Sequence, residues 1–493
     1  MALRLFNTLS GKLEEFRTIE PKRVRMYSCG PTVYDYGHIG NFRTFIAVDI
    51  LRRFLRSSGY RLDHVMNITD VDDKIIRNAA RDHVGVREYA AKFEEAFFQD
   101  SRTLNLETPE RIVRATEHIE EMANFIARLE KQGHAYKTED GSYYFRIATF
   151  PQYGKLSKKD FAGMSDGARV DVDEYEKDNA RDFALWKAPK PGEAFWESEI
   201  GPGRPGWHIE CSVMAMKYLG ETFDMHLGGE DLIFPHHENE IAQSESLTGK
   251  PFAHYWVHVR FLLVEGQKMS KSLGNFYTLR DLLLKGYKAS AIRYLLASVP
   301  YRKQLNFTFD GLKQAENAVE RLRNLKDRLG RGSVLPGSNP ELQKVAMETR
   351  QKMRAGMEDD LNTAQALAAI FDMTREANIA TDAGKLYQDD AAQLLHVLDD
   401  FDAIFAVLND DDAEKMAAAI EWARSEGRLK EDSPALKGLV NGLPDTQIEA
   451  LVEQRNAAKK ARDFAKADAI RKQLAESGVL LEDTKEGVRW KRK

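Results

Sequence analysis

Apolar and polar residues alternate over residues 24–29, which predicts a short strand running into the turn residues Gly30 and Pro31. After a loop rich in Tyr and Gly, apolar side chains recur at helical spacing (Phe42, Phe45, Ile46, Ile50, Phe54). Gly59 stops that helix, and residues 62–68 return as a strand. Strand, helix and strand form a βαβ unit, which requires a right-handed crossover and a parallel sheet. Ligands of such sheets gather where strand carboxyl ends meet helix amino ends, and the loop at residues 30–40 occupies that place.

The pattern turns irregular over residues 117–206, with a helix at 119–133, strand-like pieces such as 143–147 and a Pro/Gly-rich stretch at 189–206, and reads as an insertion. Sheet-and-helix alternation resumes through residues 209–216, 223–227 and 255–264. From Gly311 helical periodicity takes over: Leu312, Ala315, Val319, Leu322, Leu325 and Leu329 mark one helix face. A Gly/Ser/Pro linker at 330–340 and helical stretches at 361–377 and 391–407 predict a bundle. A second Pro/Gly-bearing tract, 433–444, precedes a terminal module with helices at 448–461 and 464–477, a stop at Gly478, and a hairpin pairing 479–481 with 488–490.

A chain of 493 residues exceeds the ~250–300 that one core supports, so several domains are expected. The balance of 43% apolar and 30% charged residues suits a globular protein. No apolar run reaches the ~18 residues that a membrane helix needs, and the opening residues carry Arg4, Lys12, Glu14 and Glu15. The expectation is no membrane, no export and a cytoplasmic location. Only Cys29 and Cys211 are present, which fits a reducing compartment or a metal role. The net charge of −5 hides a regional bias: from Leu451 onward twelve basic residues face seven acidic ones, a surplus suited to phosphate contact.

Two motifs carry phosphate chemistry. His38-Ile39-Gly40-Asn41 opens the first helix, where unpaired N–H groups and the helix dipole attract anions. Gly40 permits close approach, and His38 and Asn41 offer side-chain hydrogen bonds to ATP phosphates. Lys268-Met269-Ser270-Lys271-Ser272 follows a strand and the turn Glu265-Gly266, placing the point charges of Lys268 and Lys271 on a short polar loop. For a metal, Cys29, Cys211, one histidine and Glu240 supply suitable sulfur, nitrogen and oxygen donors. If residues 234–241 are helical, His236 and Glu240 share a face, while His208 and His237 offer the same chemistry.

The two lysine- and histidine-bearing motifs resemble the signatures of class I aminoacyl-tRNA synthetases, with Asn41 departing from the second histidine of the first signature. Residues 29–35 (CGPTVYD), 206–212 (GWHIECS) and 234–240 (FPHHENE) are similar to the zinc-carrying motifs of cysteinyl-tRNA synthetases. The resemblance implies a zinc ion, one per chain, on Cys29, Cys211, His236 and Glu240. It implies a cysteine pocket at Thr69 and Trp207, and ATP with Mg2+ at His38, Gly40, Asn41, Lys268 and Lys271. The implied partners are tRNA(Cys), ATP and L-cysteine. The implied fold is α/β: a doubly wound, Rossmann-like parallel-sheet catalytic domain (1–116 and 207–310) with an inserted connective region (117–206), a helical bundle (311–430) and an anticodon-binding module (445–493). Two other expectations stay open: a cysteine ligase of the mycothiol type acting on an amino sugar, and a non-catalytic zinc and RNA-binding paralogue.

Overall fold

The computed structural model describes residues 2–159, 182–331, 335–430, 432–436, 445–476, 479–484 and 487–492. The chain divides into two compact units, one of Met1–Phe276 with Arg293–Leu408, the other of Tyr277–Ile292 with Asn409–Lys493.

A five-stranded parallel sheet organises the first unit, in the order Ala253–Val259, Phe223–Gly229, Arg23–Ser28, Arg61–Ile68, Arg111–Arg114. The chain winds outward one way from the central strand Arg23–Ser28, and the later strands Phe223–Gly229 and Ala253–Val259 add on its other side. The order therefore reverses beside Arg23–Ser28, and the crevice at that reversal is where doubly wound sheets place ligands. Strand Arg61–Ile68 is buried continuously from His64 onward, as a sheet covered on both faces requires.

The first crossover helix, Ile39–Ser57, buries Phe42, Ile46, Ile50 and Phe54 on one side. Each such side chain contributes roughly 1.5–3 kcal/mol on leaving water. Gly59, at φ 78°, turns the chain back after the helix, a conformation that suits a residue without Cβ.

The irregular region folds around a four-stranded antiparallel sheet, Ala135–Lys137, Tyr143–Phe145, Phe183–Lys187 and Arg204–Pro205. The single strand expected over residues 255–264 is two. Arg260 N–H donates to the Tyr301 carbonyl and Phe261 N–H to Glu230, which interrupts the ladder. Leu262–Val264 then joins a separate sheet with Gln267–Lys268 and Leu305–Phe307.

Helices Phe309–Arg331, Pro340–Glu358, Thr363–Asp382 and Gln388–Phe405 complete the first unit. Pro340–Glu358 went unread in the sequence, although Asn339 as cap and Pro340 in the first turn mark its start. In the second unit, helices Asp445–Lys460 and Phe464–Glu476 pack with the hairpin Val479–Thr484/Gly487–Arg492 around Ile448, Val452, Ile470, Leu474, Val479 and Leu481. Among the described residues no helix is long and apolar enough to cross a membrane.

Candidate active site and metal centre

His38 is the N-cap of helix Ile39–Ser57. Its Nδ1 accepts from Asn41 N–H at 3.1 Å, and the Asn41 side-chain oxygen accepts from His38 N–H at 3.1 Å. This reciprocal capping box gives Asn41 a structural use that an amide performs well, and it fixes the helix start. A Cβ on Gly40 would sit 2.9 Å from the His38 ring and 3.2 Å from Met269 Cε, so a larger residue here would push on both side chains.

The lysine segment lies over this helix start. Lys268 forms a short edge strand opposite Leu263 rather than a free loop position, and Lys271 stands on the turn beyond. Lys271 Nζ donates to Asp35 at 2.7 Å and lies 5.1 Å from the Phe276 ring, which meets the His38 ring edge-on at 5.1 Å. Burial first, and the Lys271 charge second, push His38 down to about 4, so it is neutral at pH 7.

One residue beyond the central strand, at the reversal point, Cys29 enters a buried polar cluster. Helix Trp207–Leu219 brings Cys211, whose Sγ is 3.9 Å from Cys29 Sγ. The segment Ile233–His237, with Phe234 out of helical geometry, leads into helix Glu238–Thr248 and sets His236 Nε2 3.0 Å from Glu240 Oε1. Donor atoms of Cys29, Cys211, His236 and Glu240 lie within 4.8 Å of one another, all buried. A second set, Cys29, His226, His237 and Glu240, meets the same distance.

Further bonds hold the members of both sets. His237 Nε2 reaches Cys29 Sγ at 3.2 Å while its Nδ1 bonds His258 at 2.8 Å. His226 Nε2 holds the other oxygen of Glu240 at 2.8 Å. With a metal on the first set these two histidines would orient Cys29 and Glu240 from outside; on the second set they would be ligands themselves. His236 is itself oriented by His208, 3.0 Å away, and by the Trp207 ring stacked at 4.3 Å.

Burial works against every charge in the cluster, yet His226 and His236 hold Glu240 down to about 2, and Glu240 with Cys211 lifts His236 to about 10. Burial pushes Cys29 well up, whereas hydrogen bonding to Cys29 holds Cys211 below its ordinary value. Negative groups therefore outweigh positive ones around His236. Two sulfurs, an imidazole and a carboxylate gathered about such a point fit a divalent cation of borderline softness.

Thr69 is buried and pinned to the loop after Cys29 by hydrogen bonds with Pro31 and Val33, and its hydroxyl donates to Glu210 Oε2 at 2.6 Å. Trp207 is 42% exposed beside the cluster. Sequence reasoning missed Glu210, whose buried carboxyl is raised well above the ordinary range by desolvation, and also His226 and His258. Glu210 lies inside the motif at 206–212. His226 and His258 lie within sheet strands and give no local signal.

The parallel sheet with its reversal point, the capped helix start and the lysine turn above it define the catalytic fold of a class I aminoacyl-tRNA synthetase. Residues 15–317 match the family model for tRNA synthetases class I (C) catalytic domain, residues 352–409 the DALR domain, and residues 441–490 the cysteinyl-tRNA ligase anticodon binding domain. The chain is 66% identical to a cysteine–tRNA ligase of Koribacter versatilis and 57% identical to one of Solibacter usitatus, each over 100% of both chains. It belongs to the cysteine–tRNA ligase family. Among solved structures, a Mycobacterium tuberculosis methionyl-tRNA synthetase with methionyl-adenylate is alike in fold (TM-score 0.56, 15% identity, 86% of this chain and 94% of that one). So is a LeuRS from Agrobacterium radiobacter K84 in a ternary complex (TM-score 0.57, 12% identity, 82% and 86%).

Proposed function

We propose that the chain joins cysteine to ATP, giving cysteinyl adenylate and pyrophosphate, and passes the cysteinyl group to the terminal adenosine of tRNA(Cys) with release of AMP. The observation that carries this reading is the adjacency of two sites at one strand end: the four-donor buried cluster begins at Cys29, and the anion-attracting helix start follows at His38. ATP phosphates, with Mg2+, lie against the Ile39–Ser57 amino terminus, whose unpaired N–H groups, that of Gly40 among them, and helix dipole attract anions. Neutral His38 and Asn41 hydrogen-bond the nucleotide, and Lys271 with Lys268 neutralises charge on the departing pyrophosphate.

Cys29, Cys211, His236 and Glu240 hold zinc. When bound, zinc supplies a soft Lewis acid that favours a thiolate over a hydroxyl, which separates cysteine from serine where shape alone is worth only ~1–3 kcal/mol. Thr69, fixed by its bond to Glu210, and Trp207, at the rim of the cluster, bound the pocket for the small amino acid. The basic surplus beyond Leu451 serves tRNA contact.

The test is cysteine-dependent ATP–pyrophosphate exchange followed by charging of tRNA(Cys), with glucosamine-inositol as the competing acceptor. Exchange and tRNA charging are expected. Exchange with transfer to the amino sugar alone would make the chain a mycothiol-type ligase. Zinc and RNA binding without exchange would make it a non-catalytic paralogue. The match over residues 441–490 supports tRNA as the acceptor.

A further inference from the structure

Helices Ile39–Ser57 and Val86–Thr103, strands Arg23–Ser28 and Arg61–Ile68, and residues 106–109 line a partly open cavity of about 90 Å³. None of the groups assigned above to nucleotide, metal or cysteine lines it. Its apolar wall is Phe45, Val48, Met66, Phe97, Leu106 and Pro109. Polar and charged side chains interrupt that wall, and Ser28, Arg52, His64 and Ser101 are the ones whose hydrogen bonding bears on an occupant.

The hydrogen-bond directions among these four can be worked out. Arg52 is held at 1% side-chain exposure and approaches His64 Nδ1 at 2.8 Å. A guanidinium only donates, so Nδ1 is the acceptor. Burial, reinforced by the Arg52 charge, keeps His64 well below its ordinary pKa and therefore neutral, with its one proton on Nε2. That proton goes to Ser28 Oγ at 2.7 Å, leaving the Ser28 hydroxyl hydrogen free to donate elsewhere. Arg52 Nε and Ser101 Oγ are likewise buried without a hydrogen-bond partner. Three donors that lack an acceptor thus line one cavity, and a buried donor left unsatisfied costs about 1–3 kcal/mol.

The charges on the same wall are already matched. Arg52 is engaged by both oxygens of Glu110 at 2.8 and 3.1 Å, Asp49 by Arg53 and Arg293, and Glu107 by Arg56. The remaining cation on the wall, Arg102, is paired with Glu95 at 3.0 Å. A carboxylate entering here would be repelled by Asp49 and Glu107, whereas an uncharged carbonyl oxygen would meet the free donors without a charge for them to repel. The volume lies well above the ~15 Å³ that admits a single water, and the space is open on one side, so an occupant larger than water can enter.

We propose that this cavity is a ligand site for a compact, uncharged molecule with a branched aliphatic body and one carbonyl oxygen. The body lies between Phe45, Val48 and Phe97, and the oxygen accepts from Ser28, Arg52 and Ser101. Ser28 immediately precedes Cys29, so an occupant touches the strand end from which the metal cluster begins.

Isobutyramide is the probe, with isobutyrate as its charged analogue, on the full-length, zinc-loaded protein, by calorimetry and by crystal soaking. Isobutyramide is expected in the cavity with its oxygen within hydrogen-bond distance of Ser28 Oγ or Arg52 Nε, and to bind more tightly than isobutyrate. Val48→Phe, which fills the space, should abolish binding. Ser101→Ala, which removes one donor, should weaken it about fivefold. Both variants should keep cysteine-dependent exchange. Density for waters alone, tighter binding of isobutyrate, or unchanged affinity in Ser101→Ala would each overturn the proposal.

Discussion

The buried donor cluster and the lysine turn, proposed above to serve one reaction, are built in opposite ways. Cys29, Cys211, His236 and Glu240 are buried, and His226, His237, His208 and Trp207 each fix the direction of one of them. Lys271 is 65% exposed on its side chain, and its ion pair is with Asp35, itself 40% exposed, a kind of pair worth about 0–1 kcal/mol. A site that discriminates between two small amino acids needs donors that cannot yield. A group that must meet phosphate charge only when nucleotide arrives needs a resting partner it can leave, and the two degrees of burial answer those two demands.

Cys211→Ser attacks the rigid side of this contrast and should have the largest effect. Zinc content should fall from one per chain toward none, and selection of cysteine over serine in exchange should collapse with it, because a hydroxyl is a poor zinc ligand. Stoichiometric zinc with full discrimination would make Cys211 a core residue only.

Lys271→Ala attacks the exposed side. It should slow adenylate formation by about 100- to 1000-fold, the usual cost of losing one donor to developing charge, while metal content and melting temperature stay unchanged. A parallel loss of zinc would show that the two regions are not separable in the way their burial indicates.

His38 sharpens the boundary between them. Its folded value of about 4 lies below the unfolded ~6.5, so its contribution to stability is complete above about pH 6.5 and drains away as pH falls toward 4. Melting temperature measured from pH 8 to 4 should decline less steeply at the acid end in His38→Asn than in the parent. Equal curves would place the acid sensitivity elsewhere.

The smallest effect belongs to Asp35→Ala. Freed from its partner, the lysine turn should be cut faster by trypsin in the nucleotide-free protein, with stability changed by no more than about 1 kcal/mol. ATP should restore protection in both forms. Identical cleavage rates without ATP would show that Asp35 does not hold the turn.

Local order was readable where it depends on neighbours in sequence. The helix after the His38 loop, its stop at Gly59, the strand that follows and the terminal hairpin all rest on periodicity or turn chemistry within about one or two turns of chain. The break at Arg260–Phe261 was not readable, because the groups that interrupt the ladder are Tyr301 and Glu230, distant in sequence.

By itself the sequence determined a helix start ready for anions and a lysine motif, and it joined Cys29 and Cys211 in one site only through the resemblance of their motifs, since their spacing suggests none. Only the tertiary structure gathered Cys29, Cys211, His236 and Glu240 within 4.8 Å, since ligation acts through space and a spacing of 182 residues carries no distance. It also separated His236 from His237, neighbours of identical chemistry. The non-helical Phe234 and the helix that follows turn His236 toward Glu240 beside Trp207, and His237 toward Cys29 and His258.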